Sequence, residues 1–293
     1  MTELKKTNNK HSYWSGVFSR FKKDKKAVVS LIVLVIIVLA CIFVPIFSPY
    51  SMETTNMTDD VRDMPPSASH ILGTDDLGRD VFTRVFYGGR YSLGIAIVVV
   101  FFECVVGIIL GSLAGYYGGI IDSIIMRLSE IFMSFPFMIF CITVVAVLGS
   151  GPLTLIIVLV VISWPTIARI VRGQILTLRE MEYMEACEAL GISDFKRIFK
   201  HLLPNVLAYI IVYATLGMAS VILTETSLSF LGLGISPPDP TWGNMMQEAR
   251  NTYTLQNKMW YWIPPGICIF ISVMCFNLLG DGLRDAIDPK LKR

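Results

Sequence analysis

Residues 182–205 read EYMEACEALGISDFKRIFKHLLPN, a charged stretch that separates two long apolar runs of the chain. Strong helix formers extend to Leu190, and Gly191 suits the left-handed backbone position that ends a helix. Ser193 is a favourable N-cap residue, and Asp194 favours the positive end of a second helix. The spacing places four apolar side chains on one face of that second helix: Phe195, Ile198, Phe199 and Leu202. We therefore predict a helix, a sharp turn and an amphipathic helix at a membrane surface.

The apolar runs on either side of this stretch are long enough to cross a bilayer, which takes roughly 20 helical residues. Similar runs elsewhere bring the predicted spans to six, at residues 27–47, 92–115, 124–148, 153–170, 206–223 and 260–279. The chain has 293 residues, of which 54% are apolar and only 16% charged. This composition excludes both an ordinary soluble enzyme and a disordered chain. The net charge of +2 gives no reason to expect nucleic acid as a partner.

The distribution of basic residues orients the spans. Nineteen of the 25 Lys and Arg residues lie in segments on one side of the predicted membrane, and six lie on the other. Because the cytoplasmic side is the richer one, we expect both termini in the cytoplasm. The predicted organisation is then a cytoplasmic N-tail (1–26), a first span (27–47), an extracytoplasmic loop (48–91), a five-helix core (92–280) with an inner loop at 171–205, and a cytoplasmic C-tail (281–293).

Acidic residues within or near the spans are candidates for function, because charge is expensive in a bilayer. Glu103 lies well inside the second span and either faces a translocation path or makes a structural polar contact. Glu225 follows the fifth span and is either part of a gate or path, or an ordinary solvated loop residue. Glu130 is close to Arg127, so a local ion pair is the expected interpretation.

Prolines and glycines mark irregular or close-packed positions in the spans. Pro136 and Pro165 each remove a backbone donor and are expected to kink their helices. Three glycines at four-residue spacing permit close helix packing: Gly107, Gly111 and Gly115.

No motif for catalysis or metal binding is present. The chain has no G-x-x-x-x-G-K-[ST] phosphate loop, no G-x-S-x-G and no H-E-x-x-H, and its six cysteines form no C-x-x-C pair. We predict no catalytic residue and no metal site, which disfavours a membrane enzyme. The stretch 182–205 is then either an interfacial helix on lipid headgroups or a docking element for a cytosolic partner. Small residues favour docking, because they allow close approach: Ala186, Ala189 and Gly191.

Several motifs together resemble those of the binding-protein-dependent ABC importer permeases. Glu185-Ala186 with Gly191, followed by His201-x-x-Pro204-Asn205, resembles their EAA motif. Further matches are Leu72 to Val81 before the core, Gly115 to Gly119 with Asp122 and Arg127, Leu228 to Gly234 with Pro237-Pro238 and Trp242-Gly243, and Asn277 to Asp285 with Asp288-Pro289. The resemblance is greatest to the C-type permease subunit of dipeptide, oligopeptide and nickel importers. Cys187 departs from the motif, which has Ala there.

The resemblance implies an all-α membrane protein with six spans and the type I importer permease (MetI-like) fold, in the bacterial inner membrane. It implies four kinds of partner: a second, B-type permease, two cytosolic ATPases that bind ATP and Mg, an extracytoplasmic binding protein and the bilayer. The chain itself is expected to be neither an enzyme nor a cofactor carrier. The residues expected to couple it to an ATPase are Glu185, Ala186, Ala189, Leu190, Gly191, Ser193 and Asp194.

Peptide is the first expectation for the substrate, and nickel or a metal–chelator complex is the second. An autonomous channel or secondary carrier is the alternative from another class. It would need several intramembrane charges or internal repeats, and it would not need a long loop of the EAA kind.

Overall fold

The computed structural model describes residues 13–52, 55–58 and 60–287. Its α-helices, in chain order, are α1 (Tyr13–Phe21), α2 (Lys25–Phe47), α3 (Val81–Tyr117), α4 (Gly119–Ser134), α5 (Phe137–Leu148), α6 (Pro152–Arg179), α7 (Glu182–Ala189), α8 (Asp194–Lys196), α9 (Leu203–Phe230), α10 (Trp242–Met245), α11 (Thr252–Asn257) and α12 (Ile263–Ile287). A π-helical segment, Arg197–Leu202, joins α8 to α9. The all-helical fold is confirmed.

Within the described residues, five helical segments are long and apolar enough to cross a membrane: α2, α3, α6, α8 to α9 taken together, and α12. The predicted third span (124–148) is instead two helices, α4 and α5, which meet at an angle of 88°. The break falls at Pro136, because the residue before a proline avoids the helical region and Phe135 is extended (ψ 133°). The expected kink at Pro136 is thus a complete break, whereas α6 continues through Pro165.

Two helices extend well beyond the apolar runs that predicted them. Helix α3 begins at Val81 rather than at residue 92, and α6 ends at Arg179 rather than at residue 170. The added turns mix apolar residues with polar ones and glycines, and tertiary partners bind their arginine side chains. Arg90 of α3 donates from Nε to the carbonyl oxygen of Cys41 (2.7 Å), and Arg179 donates to the carbonyl oxygen of Tyr116 (3.0 Å).

Close packing of α3 against α6 forms the centre of the bundle. A Cβ atom at Gly107 would lie 2.5 Å from the side chain of Ile167, and one at Gly111 would lie 2.5 Å from the carbonyl oxygen of Ala168. Contacts this short require glycine, so the predicted packing role of the glycine row is confirmed. Helix α9 packs against α3 and α12, and α2 packs against α3 and α12 on the outside.

At one end of the bundle, the described parts of residues 48–80 pack on residues 231–262, and we call these two segments the cap. Trp260 donates from its indole nitrogen to the carbonyl oxygen of Thr74 (3.1 Å), and the Lys258 ammonium lies 2.7 Å from the Asp63 carboxylate. Trp242 is fully buried and donates to the carbonyl oxygen of Val85 in α3. The cap is therefore attached to the membrane helices rather than being a free loop.

Some sequence expectations fall outside the described residues. They concern the start of the N-tail, including Lys5, Lys6 and Lys10, and the end of the C-tail from Asp288 onward.

Candidate functional site

The loop between α6 and α9, residues 180–202, contains the stretch that opened the sequence argument. Helix α7 ends in a left-handed glycine, since Gly191 has φ +67°. The amide of Gly191 donates to the carbonyl oxygen of Glu188 (2.9 Å), and the amide of Ile192 donates to that of Cys187 (3.1 Å). These two bonds form a Schellman motif, which is the helix end predicted from the sequence.

The second half of the loop differs from the prediction. Ser193 occupies the N-cap position with extended backbone, but its hydroxyl makes no capping bond. Helix α8 passes after one turn into the π-helical segment, whose wider turn changes the register of the side chains. The single apolar face predicted for four residues is therefore wrong. Ile198 and Leu202 are buried, while Phe195 and Phe199 are exposed with ring centroids 4.4 Å apart.

All of the residues predicted to couple the chain to an ATPase are exposed in this structure: Glu185, Ala186, Ala189, Leu190, Gly191, Ser193 and Asp194. The opposite face of α7 is buried through Met184 and Cys187. Leu190 is 78% exposed and Phe195 is 68% exposed, so the loop presents large apolar side chains beside small residues. Such a surface can accept a protein partner, because close approach and apolar burial are both available.

Arg197 holds the loop in place by hydrogen bonds, a role that was not predicted from the sequence. Its Nε donates to the carbonyl oxygen of Ile192 (2.7 Å), and its Nη1 donates to the hydroxyl of Tyr116 (3.3 Å). The Tyr116 hydroxyl in turn donates to the Asp194 carboxylate (2.8 Å). Because Tyr116 belongs to α3, the loop is bound to the end of that helix as well as to α6 and α9. The sequence offers only weak signals for this, a tyrosine at a helix end and an arginine after a turn.

A second ion pair attaches α4 to α6 near the same end of the bundle. The guanidinium of Arg172 donates from Nε and Nη2 to the two carboxylate oxygens of Asp122, both at 2.5 Å. This bidentate geometry fixes both the distance and the orientation of the two helices. The predicted local pair of Arg127 with Glu130 is confirmed at 2.9 Å, but both side chains are exposed.

A cavity of about 540 Å³ lies between α3, α5, α6 and α9. Its polar lining consists of Glu103, Ser163, Thr166, Tyr213, Ser220 and Thr224, and apolar side chains form the rest of the wall. The volume is in the range of small-molecule sites. Thr166, Tyr213 and Ser220 are exposed, so the cavity opens on the outer face of α6 and α9.

Glu103 lies in this cavity wall and is 5% exposed. Ser163, near the middle of α6, is its hydroxyl neighbour in the same wall. Gly217, near the middle of α9, faces its carboxylate, where an added Cβ would lie 3.2 Å from Oε1. Ser163 and Gly217 were not predicted from the sequence, because no local sequence pattern indicates which residues of other helices face a given carboxylate.

Glu225 lies in the interior of the last turns of α9 and is fully buried, so its interpretation as a solvated loop residue is wrong. Its carboxylate accepts hydrogen bonds from the hydroxyls of Ser92 (3.1 Å) and Ser229 (2.7 Å). The Ser92 hydroxyl also accepts from the backbone amide of Trp242 in the cap (3.1 Å). In this conformation Glu225 therefore links the cap to α3 and α9 and does not line the cavity.

The described residues bring no group of three or more His, Cys, Asp or Glu side chains together as a metal site. All six cysteines are free, and five of them are buried.

Comparison with known families gives two matches. Residues 107–293 match the family described as "Binding-protein-dependent transport system inner membrane component". Residues 12–66 match "N-terminal TM domain of oligopeptide transport permease C". The larger match contains the cavity-lining parts of α5, α6 and α9 and the whole 180–202 loop.

Curated relatives match over nearly their whole length. The dipeptide transport system permease protein DppC of Alkalihalophilus pseudofirmus is 42% identical, over 96% of this chain and 91% of the relative. The oligopeptide transport system permease protein OppC of Bacillus subtilis is 41% identical over the same shares. The glutathione transport system permease protein GsiD of Pectobacterium atrosepticum is 39% identical, over 95% of this chain and 92% of the relative.

Among solved structures, a chain of the MetNI methionine ABC transporter in an inward-facing conformation aligns with a TM-score of 0.56. The alignment covers 70% of this chain and 96% of that chain at 22% identity, and at this identity the likeness concerns the fold alone.

Proposed function

We propose that this chain, which belongs to the family of binding-protein-dependent transport system inner membrane components, forms one wall of the path by which an ABC importer carries peptides. Family membership makes the chain a multi-pass permease subunit of the bacterial inner membrane. One observation carries the proposal of a coupled path: three of the four helices that line the cavity, α3, α6 and α9, are bound to the 180–202 loop.

The peptide class of the substrate is supported by the relatives and by the cavity. The relatives are named as dipeptide, oligopeptide and glutathione permeases, and all three of these substrates are peptides. The cavity combines apolar walls with several hydroxyls, which suits backbones that carry varied side chains. The nickel alternative is not favoured, because the relatives' names concern peptides and the described residues form no cluster of metal ligands.

The 180–202 loop acts as the contact with a cytosolic ATPase. Its exposed small residues let the partner approach closely, while Leu190, Phe195 and Phe199 supply apolar area. The Schellman turn at Gly191 and the bonds of Arg197 keep the loop rigid, so that movement of the ATPase displaces it as a unit. Because α6 enters the loop and α9 leaves it, that displacement changes the distance between the cavity walls.

The remaining partners follow from the same arrangement. A second, B-type permease closes the open side of the cavity, and an extracytoplasmic binding protein delivers substrate at the cap. We infer that two ATPase subunits bind ATP and Mg, and that the 180–202 loop, as their contact, lies on the cytoplasmic side together with both termini. The basic residues concentrated around this loop agree with that orientation.

A deletion strain tests the function directly. We expect loss of uptake of labelled dipeptides or oligopeptides, restored by the gene, with nickel uptake unchanged. Affinity purification of the chain should recover ATPases and a second permease. Peptide uptake by the chain alone in liposomes, without ATPase subunits or ATP, would instead identify a secondary carrier or channel.

A further inference from the structure

We propose that Glu103 is a binding site for a primary ammonium group, the N-terminus of the peptide in transit, within the cavity. The inference rests on the proposed peptide transport and adds the residue and the chemical group through which the path recognises its substrate. Neither the family match nor the relatives' names assign a role to this residue.

The first step of the argument is the charge of the cavity. Glu103 is the only charged residue in the lining, and no Lys, Arg or His is present there. A buried carboxylate without a cation is costly, because the surroundings replace little of the hydration that it has lost. The hydroxyl of Ser163 is a polar neighbour of Glu103 in the lining. The lining therefore contains one acidic group whose ionised form a cationic ligand would stabilise.

The second step is the comparison with Glu225, the other buried carboxylate of the same helical bundle. Glu225 is fully enclosed and has two serine donors at 3.1 and 2.7 Å. Glu103 instead lies in the wall of the cavity, where Gly217 lets α9 approach so closely that an added Cβ would lie 3.2 Å from Oε1. The carboxylate that borders the cavity is thus the one with unused acceptor capacity.

The third step is the kind of cation. An ammonium group has three N–H donors, and the lining offers a carboxylate with further hydroxyl acceptors: Ser163, Thr166, Ser220 and Thr224. A metal ion is disfavoured, because it prefers several anionic or imidazole ligands and the described residues provide no such group. The N-terminal ammonium is common to linear peptides, so its recognition leaves the sequence of the peptide free.

The test uses the complete importer, reconstituted in liposomes with its binding protein saturated with alanylalanine. If charge recognition is correct, Glu103→Asp retains more uptake than Glu103→Gln, although glutamine has the same length as the native side chain. We expect Glu103→Gln to lower the rate about tenfold or more, the range for hydrogen bonds to charged groups. Glu130→Gln is the matched control, since it neutralises an exposed carboxylate outside the cavity, and we expect it to transport normally.

A structural role for Glu103 predicts the opposite order, with Glu103→Gln at least as active as Glu103→Asp, and that result would overturn the inference. A second probe replaces the ammonium by a hydroxyl, as in lactoylalanine. The preference for alanylalanine over lactoylalanine should fall in Glu103→Gln, and an unchanged preference contradicts the assignment. If the wild-type importer moves no peptide at all, the proposed function fails first; if only the variant comparison fails, peptide transport stands without this site.

Discussion

Substitutions of Gly191 distinguish the effect of backbone conformation at the turn from the effect of side-chain size. Gly191 has φ +67° and nothing within 4 Å of an added Cβ, so Gly191→Ala introduces strain without a clash. Left-handed backbone costs alanine about 1–2 kcal/mol, which shifts a two-state equilibrium of the loop by about 5- to 30-fold. Gly191→Val is expected to be worse, because a β-branched residue rarely adopts this conformation. Gly191→Asn is expected to be nearly neutral, because asparagine tolerates it.

Gly173 provides the matched control. It is exposed, has nothing within 4 Å of an added Cβ, and lies inside α6 with ordinary helical backbone. Gly173→Ala adds the same methyl group and is expected to stabilise its helix by up to about 1 kcal/mol. Any defect found in Gly191→Ala but absent from Gly173→Ala therefore belongs to the backbone conformation of the turn.

The assay measures ATPase subunits recovered with each variant, together with peptide taken up per ATP hydrolysed, at equal amounts of permease in the membrane. The expected order of coupling is wild type and Gly173→Ala first, then Gly191→Asn, then Gly191→Ala, then Gly191→Val. Normal uptake by Gly191→Val would refute the assignment of the loop as the coupling element. An equal defect in Gly191→Asn and Gly191→Ala would refute the backbone argument.

Two further predictions concern the cap. Glu225→Ala leaves two buried serine hydroxyls without their acceptor and is expected to lower the free energy of unfolding by about 1–3 kcal/mol. The control, Glu130→Ala, removes an exposed ion pair and should lower it by about 1 kcal/mol or less. Equal shifts of the melting temperature for the two variants would contradict this prediction. Burial alone would raise the pKa of Asp63, but hydrogen bonds from Lys258 and Tyr261 lower it below its usual value. Its stabilising effect is therefore present above about pH 4 and is lost as the pH falls through the lowered pKa, so tryptophan fluorescence should report a loosening of the cap in acid that Asp63→Asn does not show.

The features that local chemistry determines were predictable from the sequence. A run of apolar residues of bilayer length needs no partner to be recognised, and the Schellman turn follows from one glycine between helix formers and a capping residue. The ends of α3 and α6 were not predictable in this way. Their outer turns interrupt the apolar runs with polar residues and glycines, and Arg90 and Arg179 hold them by donating to carbonyl oxygens on distant segments.

The surroundings of the two candidate acidic residues, Glu103 and Glu225, were likewise not predictable from the sequence. Both are carboxylates in or beside apolar runs of sequence, and the sequence left a functional and a structural interpretation open for each. Their difference arises from other elements: the cap encloses Glu225, whereas α5, α6 and α9 form a cavity beside Glu103. Likewise, the π-helical segment separates Phe195 and Phe199 from the two residues expected beside them, because its register is adjusted to the junction with α9.

The position of Glu103 gives the attachment of the loop a specific consequence. The carboxylate belongs to α3, its hydroxyl neighbour Ser163 to α6, and the facing Gly217 to α9. Each of these helices is bound to the 180–202 loop: α6 and α9 by the chain itself, and α3 through Tyr116 and Asp194. A displacement of the loop by an ATPase therefore cannot leave the surroundings of Glu103 unchanged unless the three helices move as one body. The bidentate ion pair of Arg172 with Asp122 joins α4 to α6, so these two helices are expected to move together. Relative motion is then expected mainly between the α4–α6 pair and α9. That motion opens or closes the space in front of the carboxylate, so that energy from the nucleotide cycle would act on the group that holds the substrate.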